Sequence, residues 1–235
     1  FFFFFLFLLE DFFLLDDFFL LEDFFLLEDF FFFFFLEVCS SEEEAFKTLE
    51  EAMPYKKLIT AVGLDSSEVG NPPSKFQQVF AKAEAEGFLT VAHAGEEGPA
   101  EYVWEALDLL NVSRVDHGNN SLNDDVLVQE LVDRKMPLTV CPLSNLKLQV
   151  VKDLKKHPLR EMLQKGLLAT INSDDPAYFG GYMNANYIEV AEALSLTKEE
   201  ICQLAKNAFD ASFLNRNQKK DMIARVEDYC KENSF

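Results

Sequence analysis

From about residue 37 onward, the sequence predicts an α/β fold with a parallel sheet. Short apolar runs rich in β-branched residues alternate with stretches of helical pattern, which is the βαβ pattern of parallel sheets. Polar side chains that can act as acids, bases or ligands stand at the C-terminal ends of these runs, where parallel α/β folds build their sites. Residues 1–36 follow another pattern and form a separate segment.

Five predicted strands alternate with four predicted helices in the middle of the chain. The strands are expected at 58–64, 88–93, 114–117, 137–141 and 167–172. The helices are expected at 74–86, 99–110, 124–134 and 158–165. Ser74 and Asp124 are typical helix starts, and Gly87 and Gly166 stand where a C-terminal cap belongs.

Beyond Ala185 the sequence has a helical pattern to its end. Helices are expected at 186–194, 197–208 and 218–231, where they would cover the outside of the sheet. Thr197 precedes Glu199 and Glu200, as the first residue of a capping box does.

The first 36 residues are of low complexity and contain 18 of the 26 phenylalanines. From Glu10 onward the order Glu-Asp-Phe-Phe-Leu-Leu recurs with a period of six, which fits neither a helix face nor a strand face. The apolar runs at 1–9 and 30–36 are shorter than the roughly 18 residues that a transmembrane helix needs. We interpret the segment as a translated nucleotide repeat rather than a native domain; an acidic amphipathic arm and an aggregation-prone β segment are the alternatives.

The charge and the cysteines restrict the possible partners and the location. With 21 basic and 41 acidic residues, the formal net charge is -20, which repels phosphate backbones and anionic lipids. We therefore expect neither a nucleic-acid nor a membrane partner. Cys39, Cys141, Cys202 and Cys230 are widely spaced and form no CxxC pair, so free thiols and a cytoplasmic location are predicted.

The candidate catalytic and metal-binding residues lie at the ends of successive predicted strands. In His93-Ala94-Gly95-Glu96, a small turn can direct an imidazole and a carboxyl group into one cavity, as suits a ligand and a proton donor. Asp174 and Asp175 stand between a strand and Pro176, where we expect no helix to follow directly. Two adjacent carboxylates require a cation or a shared proton. Asp65, His117 and residues 141–145 complete this set.

Five motifs resemble those of the zinc-dependent adenosine and adenine deaminases of the amidohydrolase barrel group. The resemblance covers roughly residues 40–229, and the motifs are specific when taken together in this order. They are GLDSSEVGNPPSKF at 63–76, HAGEEG at 93–98, RVDHG at 114–118, LTVCPLSNLKL at 138–148 and NSDDPAYFGGY at 172–182. The resemblance implies a (β/α)8 TIM-type barrel, of which residues 37–235 would be the C-terminal part with terminal helices.

The same resemblance implies a role for each residue that matches a family motif. His93 and Asp174 are similar to zinc ligands, and Glu96 is similar to the proton donor to the purine ring nitrogen. The family places a histidine that orients the attacking water at His117 and a hydrogen bond to the base at Asp175. Gly63 and Asp65 are expected to contact the substrate.

Two segments, 66–70 and 177–182, look like the adenine branch of the family, which acts on the free base. The expected reaction is therefore the conversion of adenine to hypoxanthine and ammonia in purine salvage, with Zn2+ as cofactor and a small purine as substrate. Deamination of adenosine is the alternative activity. The oligomeric state is not predicted.

Members of the family carry two further zinc ligands in an N-terminal His-x-His strand. The 235 residues of this sequence include no His-x-His pair. The three histidines are His93, His117 and His157, and we expect His157 to lie on the surface at the start of a helix. Residues 31–36 are expected to imitate one family strand. Weak zinc binding and little activity are therefore predicted for this chain, and an inactive purine-binding pseudoenzyme is a further alternative.

Overall fold

A computed structural model describes residues 41–233 and the backbone of residues 32–37. Residues 1–31, on which most of the low-complexity prediction falls, lie outside the described residues. The chain divides into two compact units, one up to Asn123 and one from Asp124 onward. The proposed boundary at residue 37 stays a prediction.

In its described part, the N-terminal unit consists of four parallel strands that alternate with three helices. These elements are β1 (Phe32–Glu37), α1 (Glu42–Ala52), β2 (Ile59–Asp65), α2 (Gln77–Ala85), β3 (Leu89–Ala94), α3 (Ala100–Asp108) and β4 (Arg114–His117). The strands pair in the order β1-β2-β3-β4. Gly63 of β2 is opposite Val91 of β3, and His93 of β3 is opposite Asp116 of β4. A strand thus occurs where residues 31–36 were expected to supply one.

The predicted strands of this unit lie within one residue of the observed ones, because their apolar residues fill the core. Ala61, Val62, Val91 and Ala92 are each fully buried. The predicted start of α2 at Ser74 is wrong. Residues 73–76 form a 3-10 turn, and the α-helix begins only at Gln77, after two prolines that favour an extended or turn conformation.

The C-terminal unit contains two parallel strands and seven helices in its described part. The elements are α4 (Asp125–Arg134), β5 (Pro137–Val140), α5 (Pro142–Lys147), α6 (Leu159–Gln164), β6 (Leu168–Ile171), α7 (Pro176–Phe179), α8 (Met183–Leu194), α9 (Lys198–Ala211) and α10 (Arg216–Glu232). Leu138 of β5 pairs with Ala169 of β6. On α9, Asn207 donates from Nδ2 to the Ala169 carbonyl oxygen at 2.8 Å, which fixes the helix against the strand.

The helix caps follow the sequence in several places. The Asp124 carboxylate accepts hydrogen bonds from the backbone N–H groups of Val126 and Leu127, as predicted for a helix start. Thr197 and Glu200 form a reciprocal capping box at the start of α9. By contrast, a short helix, α7, directly follows Asp175, although none was expected there. Pro176 is its first residue, a position where the missing N–H costs nothing.

The prediction that the cysteines are free thiols is wrong for two of them. Cys202 on α9 and Cys230 on α10 form a disulfide, with their Cα atoms 6.7 Å apart. The two helices contact each other, and this tertiary contact joins cysteines 28 positions apart in sequence. Cys141 is free and buried, and Cys39 lies outside the described residues. Because structural disulfides are rare in reducing compartments, the cysteines no longer support a cytoplasmic location.

His157 is buried, with 4% of its surface exposed, so its predicted surface position is wrong. Its Nδ1 accepts a hydrogen bond from the Leu159 N–H at 3.1 Å, and its Nε2 lies 3.1 Å from Oδ1 of Asn145. Burial lowers the pKa of His157 from 6.5 to about 4. The neighbouring lysines, Lys155 and Lys156, are exposed, which is why the local sequence suggests a surface residue.

Among the described residues, no helix combines the length and the apolar character needed to cross a membrane.

Candidate active site

Two histidines lie together at the C-terminal ends of neighbouring strands. His93 belongs to β3 and His117 ends β4. Their ring centroids are 4.5 Å apart with an interplanar angle of 77°. His117 is 1% exposed, whereas His93 is only partly buried. Parallel pairing of these strands therefore produces the convergence of imidazoles that the sequence predicted.

His117 has a left-handed backbone conformation, with φ of 67°. This region is uncommon for residues other than glycine, and such backbone strain is concentrated at functional sites. The next residue, Gly118, also has a positive φ of 73°. The chain thus turns sharply at the end of β4 while its last side chain stays buried.

Glu96 completes a three-residue cluster in the N-terminal unit. It is 7% exposed, and its Oε1 lies 3.4 Å from Nδ1 of His117. One potential ligand atom from each of His93, Glu96 and His117 lies within 4.8 Å of the others. Imidazole nitrogens and carboxylate oxygens at this spacing suit zinc, so this cluster could hold a metal ion. Of its three members, His93 is the one that the resemblance assigns to zinc.

Asp65 and Gly63 lie on β2, at its end and near its middle. Asp65 pairs with Glu37 in the strand register and is partly buried. Gly63 is buried between the strands that flank it and pairs with Val91. Asp116, which precedes His117, forms an ion pair with Arg114 at 3.1 Å, and both side chains are largely buried.

In the C-terminal unit, Asp174 and Asp175 follow β6 as predicted. Asp174 has a left-handed φ of 58°, and both side chains are partly buried. Burial, and secondly the charge of Asp174, raises the pKa of Asp175 to about 6. A cation or a hydrogen-bonded base beside this carboxyl pair would relieve the repulsion.

Asn186 of α8 connects two motifs of the C-terminal unit. Its side chain is completely buried and accepts a hydrogen bond from the Leu143 N–H at 3.1 Å. Its Nδ2 donates to the carbonyl oxygens of Gly181 and Tyr182. Gly181 has φ of 105°, and a Cβ atom there would overlap the Leu143 side chain. The segment after Asp175 is thereby attached to α5.

Several buried polar residues in or directly after these motifs were assigned no individual role from the sequence. Both amide atoms of Asn119 and the hydroxyls of Ser121 and Ser144 are buried without a hydrogen-bond partner among the described residues. An unsatisfied buried group costs about 1–3 kcal/mol, so each is a position where a water, a ligand or another segment would be stabilised. Glu68 is also buried, at 5% exposure. Glu68 and Ser144 lie inside the motifs, and Asn119 and Ser121 follow RVDHG within three residues. Their sequence signal was this position beside residues already identified.

The structural class of this chain is defined by its parallel strands, at whose C-terminal ends histidine and acidic residues lie. It is an α/β protein whose candidate site lies at the C-terminal ends of the strands. The family model for adenosine deaminase matches residues 33–229, and the chain belongs to that family.

Two curated relatives and two solved structures illustrate the similarity. The chain is 62% identical over 186 residues to an adenine deaminase of Acinetobacter baylyi, covering 79% of this chain and 56% of the relative. It is 57% identical over 189 residues to an adenine deaminase of Hahella chejuensis, covering 80% and 57%. The structure of an adenine deaminase from Arthrobacter aurescens matches with a TM-score of 0.83 and 43% identity, covering 87% and 64%. An amidohydrolase from Burkholderia ambifaria with bound Zn matches with a TM-score of 0.78 and 26% identity, covering 84% and 56%.

These matches confirm the predicted fold class, an α/β fold of the (β/α)8 TIM-barrel type. The barrel is incomplete in the described residues, which supply six strands. The chain spans slightly more than half the length of the curated relatives that it matches.

Proposed function

We propose that this chain carries the chemistry of a zinc-dependent adenine deaminase, which converts adenine and water to hypoxanthine and ammonia in purine salvage. The observation that carries the proposal is the cluster of His93, Glu96 and His117 within 4.8 Å. The name shared by relatives at 62% and 57% identity favours adenine as the substrate.

The roles proposed for the residues follow the family motifs. His93 and Asp174 would hold zinc, which when bound supplies a water of lowered pKa. The Nδ1 of His117 is 3.4 Å from Oε1 of Glu96, so a proton can pass between the imidazole and the carboxyl group. We assign Glu96 the donation of a proton to the purine ring nitrogen and His117 the orientation of the attacking water. Protonation of the ring offsets the charge that develops there, so that ammonia can leave.

Substrate binding is assigned to three further residues. Asp175, whose pKa is raised to about 6, can donate or accept a hydrogen bond at the edge of the base. Gly63 leaves the β2 surface without a side chain, and Asp65 offers a carboxyl group at the end of that strand.

We further propose that these 235 residues bind zinc weakly. The sequence has three histidines, one of which, His157, is bonded to Asn145 and Leu159. The family's His-x-His pair therefore has no substitute here, and a zinc site with fewer ligands is less stable. A purine-binding protein without catalysis is the alternative that this absence favours.

The test is to titrate Zn2+ into the purified chain and to follow adenine and adenosine separately by ultraviolet absorbance. We expect slow hypoxanthine formation that requires added zinc, with little reaction of adenosine. His93→Asn should abolish the zinc-dependent formation of hypoxanthine. Absence of hypoxanthine at saturating zinc contradicts the activity, and calorimetric binding of adenine in that case identifies the pseudoenzyme. Stoichiometric zinc that copurifies with rapid turnover contradicts the weak affinity.

A further inference from the structure

The backbone N–H groups around Glu96 donate hydrogen bonds to one buried carboxylate, that of Glu68. Glu68 is 5% exposed. Its Oε2 accepts from the N–H of Gly95 at 2.8 Å and from that of Gly98 at 2.9 Å, and its Oε1 accepts from the N–H of Glu96 at 2.8 Å. A charged acceptor gives shorter and stronger bonds than a neutral one. One side chain thus binds three amides of a four-residue loop.

The carbonyl side of the same loop is bound by Asn120. Its Nδ2 donates to the carbonyl oxygens of Glu96 at 3.1 Å and Gly98 at 2.8 Å. Its backbone N–H donates to the Gly95 carbonyl oxygen at 2.7 Å. We call residues 95–98 the Glu96 loop. The N–H and carbonyl groups of its Gly95, Glu96 and Gly98 are therefore hydrogen-bonded from two different elements.

Glycine is needed where these elements approach the loop. A Cβ atom at Gly98 would overlap Oε2 of Glu68 and the ring of Tyr102. At Gly95, φ is 74°, and a Cβ would lie 2.7 Å from Cγ2 of Val103. The close approach of the Glu68 carboxylate to the backbone thus depends on Gly98, and the packing of the loop against Val103 depends on Gly95. Both glycines belong to the HAGEEG motif.

We propose that Glu68 and Asn120 are positioning residues, which fix the Glu96 loop so that the Glu96 carboxyl group stays against Nδ1 of His117. Neither needs to contact the substrate, since both act through the loop backbone. The catalytic consequence rests on the proposed function, because it requires that Glu96 is the proton donor. The structural consequence does not depend on it.

Glu68→Gln is the sharpest test of the N–H side. The glutamine oxygen can keep the two bonds to Gly95 and Gly98, which share Oε2. Its NH2 group must then face the N–H of Glu96, where two donors repel. Asn120→Ala tests the carbonyl side, at a half-buried position that tolerates truncation better. Glu97→Gln is the matched control, because Glu97 lies in the same loop with an exposed side chain.

The first measurement is amide hydrogen exchange of residues 95–98 in the full chain. Loss of a charge-assisted bond is expected to accelerate exchange of the Glu96 amide by about 10-fold to 100-fold in Glu68→Gln. A smaller acceleration is expected in Asn120→Ala, and none in Glu97→Gln. Exchange in both variants equal to that of the control would overturn the proposal, whether or not the chain turns over adenine.

The second measurement reports on the contact between Glu96 and His117. The imidazole nitrogen chemical shifts of His117 should move in both variants toward those of Glu96→Gln, in which that contact is altered directly. If the chain deaminates adenine, kcat should fall in both variants while KM changes little. A loosened loop with unchanged His117 shifts and unchanged kcat would refute the positioning role. Absence of turnover in the parent chain would refute the proposed function alone.

Discussion

The Nδ1 atom of His117 lies 3.4 Å from Oε1 of Glu96, in surroundings where both side chains are almost completely buried. In a medium of low polarity, such a contact couples the charge states of the two groups. His117 reaches this position through a left-handed backbone at the end of β4. Glu96 reaches it from the loop after β3. The contact therefore depends on two turns as well as on two side chains.

Glu96→Gln should remove the acid but keep the size of the side chain. Loss of a positioned general acid typically lowers kcat by about 10²-fold to 10⁴-fold, and we expect KM for adenine to change little. Steady-state rates at saturating zinc measure the effect, with Glu97→Gln as the control. A variant as active as the parent chain would exclude Glu96 as the proton donor.

Gly95→Ala should destabilise the chain more than Gly87→Ala does. Both glycines have positive φ, 74° and 87°, but only at Gly95 does a Cβ meet a neighbour, Val103 at 2.7 Å. Alanine at positive φ costs about 1 kcal/mol, and the overlap should add about 1–3 kcal/mol at Gly95. Urea unfolding of the two variants measures the difference. Equal losses would show that Val103 adjusts without cost.

The buried His157 should make the stability of the chain depend on pH. Its pKa is lowered from 6.5 to about 4 in the folded state, so the unfolded chain binds more protons between these values. The contribution of neutral His157 to the free energy of unfolding is fully present above pH 6.5 and is lost as the pH falls toward 4. A shift of this size corresponds to on the order of 3 kcal/mol.

His157→Gln removes the titrating group and can still donate to Asn145. The free energy of unfolding should then vary less between pH 7 and pH 4 than in the parent chain. At pH 7 the variant should be less stable by about 1–2 kcal/mol, because the Leu159 N–H loses its acceptor. Denaturant unfolding at a series of pH values measures both effects, and an unchanged pH profile would contradict the assignment.

The disulfide between Cys202 and Cys230 should stabilise the C-terminal helices. For a sequence separation of 28 residues, the chain-entropy model gives a contribution of about 3–4 kcal/mol. We expect dithiothreitol to lower the urea midpoint of the parent chain. A Cys202→Ser, Cys230→Ser double variant should start from the lower midpoint and show no response to reductant. Equal midpoints in all four conditions would contradict a stabilising bond.

Much of the sheet could be predicted from the sequence, because local apolar runs decide where strands form. Strand β4 has its predicted bounds, and β2 and β3 are displaced by one residue. The cluster of His93, Glu96 and His117 could also be predicted, since parallel strands place their C-terminal ends along one edge. The strands depend on residues close together in the sequence, and the cluster follows from the general geometry of parallel strands.

The features that could not be predicted depend on distant contacts. Glu68 binds amides 27 to 30 residues away, and the disulfide joins two helices through their packing. His157 is buried although exposed lysines precede it, because its ring bonds to Asn145, 12 positions earlier. No local pattern carries such information.

The buried amide of Asn186 has a consequence for redesigning the chain. Its bonds to Leu143, Gly181 and Tyr182 connect two segments, α5 and residues 181–182, through a single side chain. An insertion after Gly180 intended to admit a larger ligand would displace the carbonyl oxygens of Gly181 and Tyr182. The Asn186 amide would then be buried without acceptors for its N–H groups. Loop grafting at this position would therefore succeed only with a compensating change in α8, and a library that varies the loop alone should yield few folded members.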